Sequence, residues 1–240
     1  MNRHRHALKP RPSATALALW ACVISALPGL AQAQAPPTAG ESAAYQGLHA
    51  AAQRGDLPAI QRLAQSKAAL ATRDSAGRTP LHVATFARQH QAVRALLQAG
   101  ADPAAFEQGR YDAVTIAAVA DDEDTLRALL QGGASARLVT SRHDGTALIA
   151  AAHLGHHGVV RQLIKAGAPL DHVNNLHWTA LIEAIVLGDG GPRHQATLKA
   201  LLDAGASTRL ADRSGSTPLQ LAKSRGYMAM VQMLQAAGAQ

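Results

Sequence analysis

The sequence contains few aromatic residues, few charged residues and almost no cysteine. Phe, Trp and Tyr make up 3% of the 240 residues, charged residues make up 16%, and Cys22 is the single cysteine. One cysteine excludes an intramolecular disulfide framework and a zinc site made of thiolates. An apolar content of 48%, with no long run of like charge, argues against disorder. A core with so few rings must be built from Ala and Leu, which favours closely packed helices.

The first 33 residues have the order of parts expected of a secretory signal peptide. Four Lys and Arg residues among the first 11 precede an apolar run over 14–30, and Ala31-Gln32-Ala33 supplies small residues for cleavage. We therefore predict a signal peptide over 1–33. An uncleaved membrane anchor is the alternative, since the run approaches the roughly 18 residues that span a bilayer. The sequence before Cys22 resembles a lipoprotein cleavage box only weakly.

Removal of this segment takes away much of the basic character. The full chain has a net charge of +7, whereas the 207 residues from Gln34 onward carry about +3, with 19 Lys and Arg against 16 Asp and Glu. So small an excess, with no clustered basic stripe along the sequence, argues against a nucleic-acid partner. Residues 34–44 are expected to form a flexible leader, and no stable membrane insertion is expected after cleavage.

Two ladders of short motifs share one period in the rest of the chain. Glycines that follow a Leu-rich motif recur at 100, 133, 167, 205 and 238, and apolar anchors recur at 48, 81, 114, 148, 181 and 219. The spacing is 33 or 34 residues except for one step of 38, which falls in the same repeat in both ladders. A shared period of this length predicts stacked units, each too small to bury its own apolar face.

Each unit is predicted to hold two short antiparallel helices. The first begins at a Thr, as in Thr79-Pro80-Leu81, because the hydroxyl can accept a free N–H and Pro fits the first helical position. A glycine then separates the two helices, at Gly55, Gly155, Gly188 and Gly226. The recurrent glycine of the first ladder ends the second helix, where a left-handed residue is easiest for Gly.

These motifs resemble the ankyrin repeat. The resemblance rests on Asp74-x-x-Gly77-x-Thr79-Pro80-Leu81-His82-x-Ala84 and on Val93-x-x-Leu96-Leu97-x-x-Gly100-Ala101-Asp102. It implies an all-α solenoid of about six stacked helix-turn-helix units with β-hairpin-like loops over residues 45–240. The units are placed at 45–73, 74–106, 107–140, 141–173, 174–210 and 211–240.

With the signal peptide, the resemblance is closest to exported bacterial members of the family. It implies a non-catalytic scaffold that binds a protein partner in a bacterial periplasm, as a monomer and without a cofactor. No Gly-x-Ser-x-Gly, His-Glu-x-x-His or Gly-x-x-x-x-Gly-Lys motif is present, so we expect no enzyme activity.

The histidines of repeats four and five support an alternative function, a periplasmic stress protein that binds a metal or a small ligand. His153 and His157 would share one face of a continuous helix and could both reach an ion. Gly155 interrupts that helix, however, and His156 occupies a position with a structural role in the motif. We therefore favour structural roles for these histidines, as for the motif residues His49 and His82.

The predicted binding surface lies on the loops and on the exposed face of the first helices. Trp, Tyr and Arg are enriched at binding hot spots, which directs attention to the residues that vary there. The predicted partner-binding residues are Arg78, Arg110, Tyr111, Arg142, His143, His177, Trp178, Asp189, Arg193 and Arg213.

Two local features of the repeats admit two interpretations each. The segment from Gly188 to His194 carries the five extra residues of repeat five, and it is either a protruding recognition loop or a tolerated insertion. The acidic run Asp121–Asp124 is either a binding patch or the cap of a second helix, whose N-terminus favours carboxylates. We favour the cap.

Overall fold

The computed structural model describes residues 34–240, so the predicted signal peptide at 1–33 lies outside the described residues. Short helices follow one another through that range, and twelve of the fourteen pair into six repeats. The helices are α1 (Ala39–Ala44), α2 (Gly47–Arg54), α3 (Leu57–Leu63), α4 (Lys67–Leu70), α5 (Pro80–Phe86), α6 (His90–Gln98), α7 (Ala113–Val119), α8 (Glu123–Gln131), α9 (Ala147–His153), α10 (His157–Lys165), α11 (Ala180–Val186), α12 (Pro192–Asp203), α13 (Pro218–Ser224) and α14 (Met228–Ala236).

Side-chain caps start the first helix of the repeats, as the motif predicts. The hydroxyls of Thr79, Thr146, Thr179 and Thr217 accept the N–H of the residue three positions on at 3.3–3.5 Å. In repeat three, Asp112 Oδ1 accepts the N–H of Thr115 at 3.0 Å instead. These bonds satisfy N–H groups that have no partner inside the helix, and so they fix where the first helices of repeats two to six begin.

The recurrent glycines end the second helices, which confirms the prediction made from their spacing. Gly100, Gly133, Gly167, Gly205 and Gly238 all have φ between 80° and 95°. After each one, the next N–H returns to the carbonyl of a leucine five positions earlier, as from Ala101 to Leu96 at 2.9 Å. This pattern is the Schellman motif, and it turns the chain out toward the next hairpin.

The core follows the two ladders. On the first helices, Leu81, Val114, Leu148, Leu181 and Leu219 are at most 3% exposed, and the Ala three positions on is fully buried in each. On the second helices the same is true of pairs such as Val93–Leu96 and Leu126–Leu129. The small Ala side chains let neighbouring first helices approach, so one continuous core runs through the stack.

Two expectations about local structure are corrected. Residues 39–44 of the expected flexible leader form α1, which Thr38 and Glu41 close with a capping box. The insertion is not all loop, since Pro192 opens a twelve-residue α12 where its equivalent α10 has nine. Gly188 separates the two helices of repeat five as predicted, and the left-handed turn there falls on Gly190, with φ 71°.

The acidic run of repeat three caps a helix, as favoured from the sequence. Asp122 Oδ1 accepts the N–H of Thr125 at 3.1 Å, and Glu123 and Asp124 lie in the first turn of α8. Asp121 takes the left-handed turn with φ 52°, the position that Gly155 fills in repeat four. Within 34–240, no helix is both long enough and apolar enough to cross a bilayer.

Candidate partner-binding site

Repeats two to six each begin with a hairpin loop that one side chain closes. An oxygen of that side chain accepts the N–H of the residue four positions on, at 2.8–3.4 Å. The closing residues are Asp74, Glu107, Ser141, Asn174 and Asp212. Polar side chains that bond to their own nearby backbone favour such turns. The loops of repeats two, three, five and six also share a backbone bond, as from Asp74 N–H to the Arg78 carbonyl at 3.0 Å, whereas the loop of repeat four differs because Ser141 is left-handed, with φ 65°.

The tip residue of all five loops is left-handed. Its φ is 75° at Gly77, 64° at Arg110, 51° at Asp144, 64° at His177 and 80° at Gly215. Glycine adopts this conformation freely, whereas a residue with a Cβ costs about 1–2 kcal/mol, less for Asp. Three successive tips therefore carry a side chain at a position where glycine would be more stable.

Hydrogen bonds to backbone carbonyls join neighbouring loops. Ser141 N–H donates to the Arg110 carbonyl at 2.9 Å, and Asn175 N–H donates to the His143 carbonyl at 3.0 Å. The guanidinium of Arg213 continues the row by donating to the Asn175 carbonyl at 2.9 Å. In repeat four the two arms of the loop also pair as strands β1 (Val139–Thr140) and β2 (Gly145–Thr146), with Val139 opposite Thr146.

The exposed side chains along this row form a charged surface, which we call the tip strip. It consists of Arg110, Arg142, Asp144, His177 and Arg213. Arg110 Nη1 lies 3.5 Å from Asp144 Oδ1, with side chains 55% and 49% exposed, so this pair contributes little to stability. The strip carries three arginines against one carboxylate, on loops whose backbone is fixed before any partner arrives.

Comparison with known proteins agrees with this architecture. The family model for ankyrin repeats matches residues 30–107 and 114–212, well over half of the chain. The chain belongs to the ankyrin-repeat family. Ankyrin repeats are protein–protein interaction modules, and their fold is generally non-catalytic.

Similar ankyrin-repeat proteins occur in bacteria. Over 100 residues, 41% of this chain, it is 43% identical to the putative ankyrin repeat protein YahD of Escherichia coli, and the match spans half of that protein. The crystal structure of an ankyrin repeat domain from Acinetobacter baumannii matches with a TM-score of 0.75 and 43% identity, over 80% of this chain and 98% of that one.

A third structure shares the fold alone. It is a chain from the complex of a predatory endopeptidase of Bdellovibrio bacteriovorus with an immunity protein. The TM-score is 0.62 at 24% identity, over 80% of this chain and 98% of that one.

Two of the predicted partner-binding residues are buried, so their prediction as surface residues is wrong. Arg78 is 2% exposed and Tyr111 is 5% exposed. Both precede the cap residue of a first helix, where the side chain turns into the ankyrin stack. Burial raises the pKa of the Tyr111 hydroxyl, which keeps it neutral.

Arg78 joins the first hairpin to the helix in front of it. Its Nε donates to Asp74 Oδ2 at 2.6 Å, and its Nη2 donates to Glu41 Oε1 of α1 at 2.6 Å. Tyr45 OH donates to the same Asp74 oxygen at 2.6 Å. Burial alone would raise the pKa of Asp74, but the bonds from Tyr45 and Arg78 outweigh it and hold that pKa below its usual range.

The other predicted residues lie at two different ends of the repeats, the hairpin end and the end where the first helix turns into the second. His143 and Trp178 are half-buried at the hairpins, beside the tip strip. Asp189 and Arg193 lie instead beyond the C-terminal end of α11, so the structure does not bring them to the strip. Arg193 pairs there with Asp121 of repeat three, at 2.8 Å.

The insertion of repeat five is tied to its neighbours. His194 lies 2.8 Å from Asp189 through Nδ1 and 2.9 Å from the His153 carbonyl through Nε2. Tyr227 of repeat six donates its hydroxyl to the Gly188 carbonyl at 2.9 Å. A backbone N–H bond from Gly191, together with the bond to His194, lowers the pKa of Asp189. These contacts match a packed insertion better than a protruding loop.

The histidines bond to backbone carbonyls of neighbouring repeats or, for His82, of the segment that follows the second helix of its own repeat. His49 Nε2 lies 3.0 Å from the Arg78 carbonyl, His82 Nε2 lies 3.0 Å from the Ala105 carbonyl, and His156 Nδ1 lies 2.9 Å from the Ala118 carbonyl. His153 Nδ1 lies 3.3 Å from Glu183 Oε2. Across residues 34–240, no three His, Cys, Asp or Glu side chains are grouped so that they could hold a metal ion.

Sequence reasoning missed Asp144. Asp144 holds the position in its repeat that Gly77 and Gly215 hold in theirs. The absence of glycine at that position is the sequence signal that would have identified Asp144. The same comparison would have identified Arg110 and His177 by their left-handed backbone position as well as by their residue types.

Proposed function

We propose that this ankyrin-repeat protein is an exported, monomeric, non-catalytic scaffold that binds a protein partner through its tip strip. The observation that carries the proposal is the left-handed backbone at Arg110, Asp144 and His177. Residues other than glycine in this backbone region cost stability, and such residues cluster at functional sites. In the first and last loops of the same row, Gly77 and Gly215 hold the tip position, so glycine is accepted at this position in other repeats of the chain.

Rigid display is the mechanism that this geometry supports. Each loop is closed by its own side chain and bonded to the next loop, so little backbone freedom is lost when a partner binds. Arginine can bind carboxylates in a bidentate manner, and the strip has more positive than negative charge. We therefore expect the partner to present acidic side chains to it. Export rests on the order of basic, apolar and small residues in 1–33.

The test replaces the three tip residues together, as Arg110→Gly, Asp144→Gly and His177→Gly. We expect the free energy of unfolding to rise by about 0.5–1 kcal/mol per site, because glycine relieves the left-handed strain. We also expect loss of the cross-linked partner that the native chain captures from the exported fraction. A variant that is more stable but no longer captures the partner would show that the substitutions impair binding and not folding.

The matched control is Arg88→Gly. Arg88 is also left-handed, with φ 55°, but it lies in the turn between α5 and α6, away from the hairpin tips. This variant should keep the partner. Capture that survives the tip substitutions, or that is lost equally with Arg88→Gly, would contradict the proposal. The mass of the captured bait tests export, since cleavage after Ala33 leaves a chain that begins at Gln34.

A further inference from the structure

A cleft separates the second helices of repeats three and four, on a different face from the tip strip. It has a volume of about 530 Å³ and lies between α8 and α10. Three cations, Arg127, Arg161 and Lys165, line it together with the apolar side chains of Leu130 and Ala166. We call this cleft the outer groove. Its volume is in the range of ligand sites in proteins.

Two of the three cations of the outer groove have no ion-pair partner within the described chain, whereas Arg127 pairs with Asp124. Arg161 and Lys165 lie one turn apart on α10, are exposed, and have no ion-pair partner in residues 34–240. Like charges at this spacing destabilise a helix. The nearby Glu123 carboxylate does not pair with either cation. It accepts a hydrogen bond from the Gln162 side chain at 3.0 Å and lies against Gly158.

Stacking extends this charge beyond a single groove. Arg94, Arg127, Arg161 and Lys199 occupy the same position on α6, α8, α10 and α12, which pack side by side. A second cleft of about 320 Å³ lies between α6 and α8, is lined by Arg94, and adjoins the first at Gln131. The sequence shows no basic cluster because one repeat separates these residues. The fold nevertheless makes a row of them, in which Arg127 and Lys199 pair with Asp124 and Asp203 of their own helices.

We propose that the outer groove binds an acidic, extended segment of a protein partner, with carboxylates on either side of an apolar side chain. Alternate side chains of an extended segment lie about 7 Å apart, close to the roughly 6 Å between residues one helical turn apart on α10. Successive side chains of an extended segment point to opposite sides, so the apolar side chain between the carboxylates would face α8, where Leu130 offers an apolar contact. Glu123 and Asp124 stand beside the cations and would repel a continuous polyanion, which favours a peptide over a nucleic acid.

The test uses a fluorescein-labelled peptide of about ten alternating Glu and Leu residues, with the purified full-length protein at low ionic strength. Fluorescence anisotropy should show binding that weakens about tenfold or more in the double variant Arg161→Glu, Lys165→Glu. The matched control is Arg54→Glu, Lys67→Glu, which makes the same change of net charge in repeat one and should alter binding less than about twofold. Circular dichroism checks that both variants are folded.

Three results would overturn the inference. The first is no binding by the native protein at about 1 mM, or equal binding of a peptide with Gln in place of Glu. The second is an equal loss of binding in both double variants, which would show an effect of net charge alone. The third is tighter binding of anionic vesicles or duplex RNA with the same sensitivity to Arg161 and Lys165, which would assign the groove to another class of partner.

Discussion

Replacement of Arg78 by alanine is expected to lower the free energy of unfolding by about 3–5 kcal/mol, measured by urea denaturation of the purified protein. Its guanidinium is buried and bonds to Asp74 and Glu41 at 2.6 Å. Removing one member of a buried ion pair leaves the other charge without its partner, and this costs more than the pair itself contributes. Most of the effect should come from Asp74, whose side chain is 8% exposed.

Two variants test the cause of this loss. Arg78→Lys keeps the charge but cannot reach both carboxylates through Nε and Nη2, so it should cause an intermediate loss. Arg142→Ala removes an exposed arginine of the tip strip and should change stability by less than about 0.5 kcal/mol. Equal effects of Arg78→Ala and Arg142→Ala would show that the buried network does not stabilise the first hairpin.

The second large expected effect is a loss of stability in mild acid, caused by His82. Burial lowers the pKa of His82 from 6.5 to about 4. The unfolded chain therefore binds a proton below about pH 6.5, whereas the folded chain does so only near pH 4. Stability from this group is complete above pH 6.5 and falls as the pH drops, by up to about 3 kcal/mol at pH 4.

The variant His82→Gln isolates this contribution. Gln220 holds the equivalent position in repeat six, where its Oε1 accepts the Thr217 N–H at 2.9 Å, so glutamine can replace the capping function of His82. The variant should lose the bond to the Ala105 carbonyl, about 1 kcal/mol at neutral pH. Its denaturation midpoint should then depend less on pH between 6.5 and 4 than that of native protein. An unchanged pH profile would contradict the assignment to His82.

The fold could be predicted because its determinants are periodic and local. Thr79 and Gly100 each act within a few residues of their own position, as a cap and as a helix end, and their copies recur with the repeat. Asp112 shows that the position is more important than the residue type, because a carboxylate caps α7 where other repeats use a hydroxyl. Burial raises the pKa of this carboxyl.

The candidate site was only partly predictable, because exposure depends on contacts between distant residues. Arg78 and Arg110 are both arginines of hairpin loops, one residue apart in the repeat pattern. The first is buried because Tyr45, Asp74 and Glu41 surround its position, and only the second points out. The residue type does not mark that difference, and only a comparison of the repeats shows that Arg78 and Tyr111 share the buried position before the cap residue. The row of cations along the outer groove was missed for a similar reason, because neighbours in the stack are a full repeat apart in sequence.

Site-specific photo-cross-linking from His177 tests the central claim most directly. A benzoylphenylalanine placed at position 177 in cells should give one adduct of defined mass in the exported fraction, and the same adduct should form from position 213. The same group at Lys67, an exposed residue of repeat one, should give none. Adducts from position 67 alone, or no adduct from position 177 or from position 213, would contradict a partner-binding surface on the tip strip.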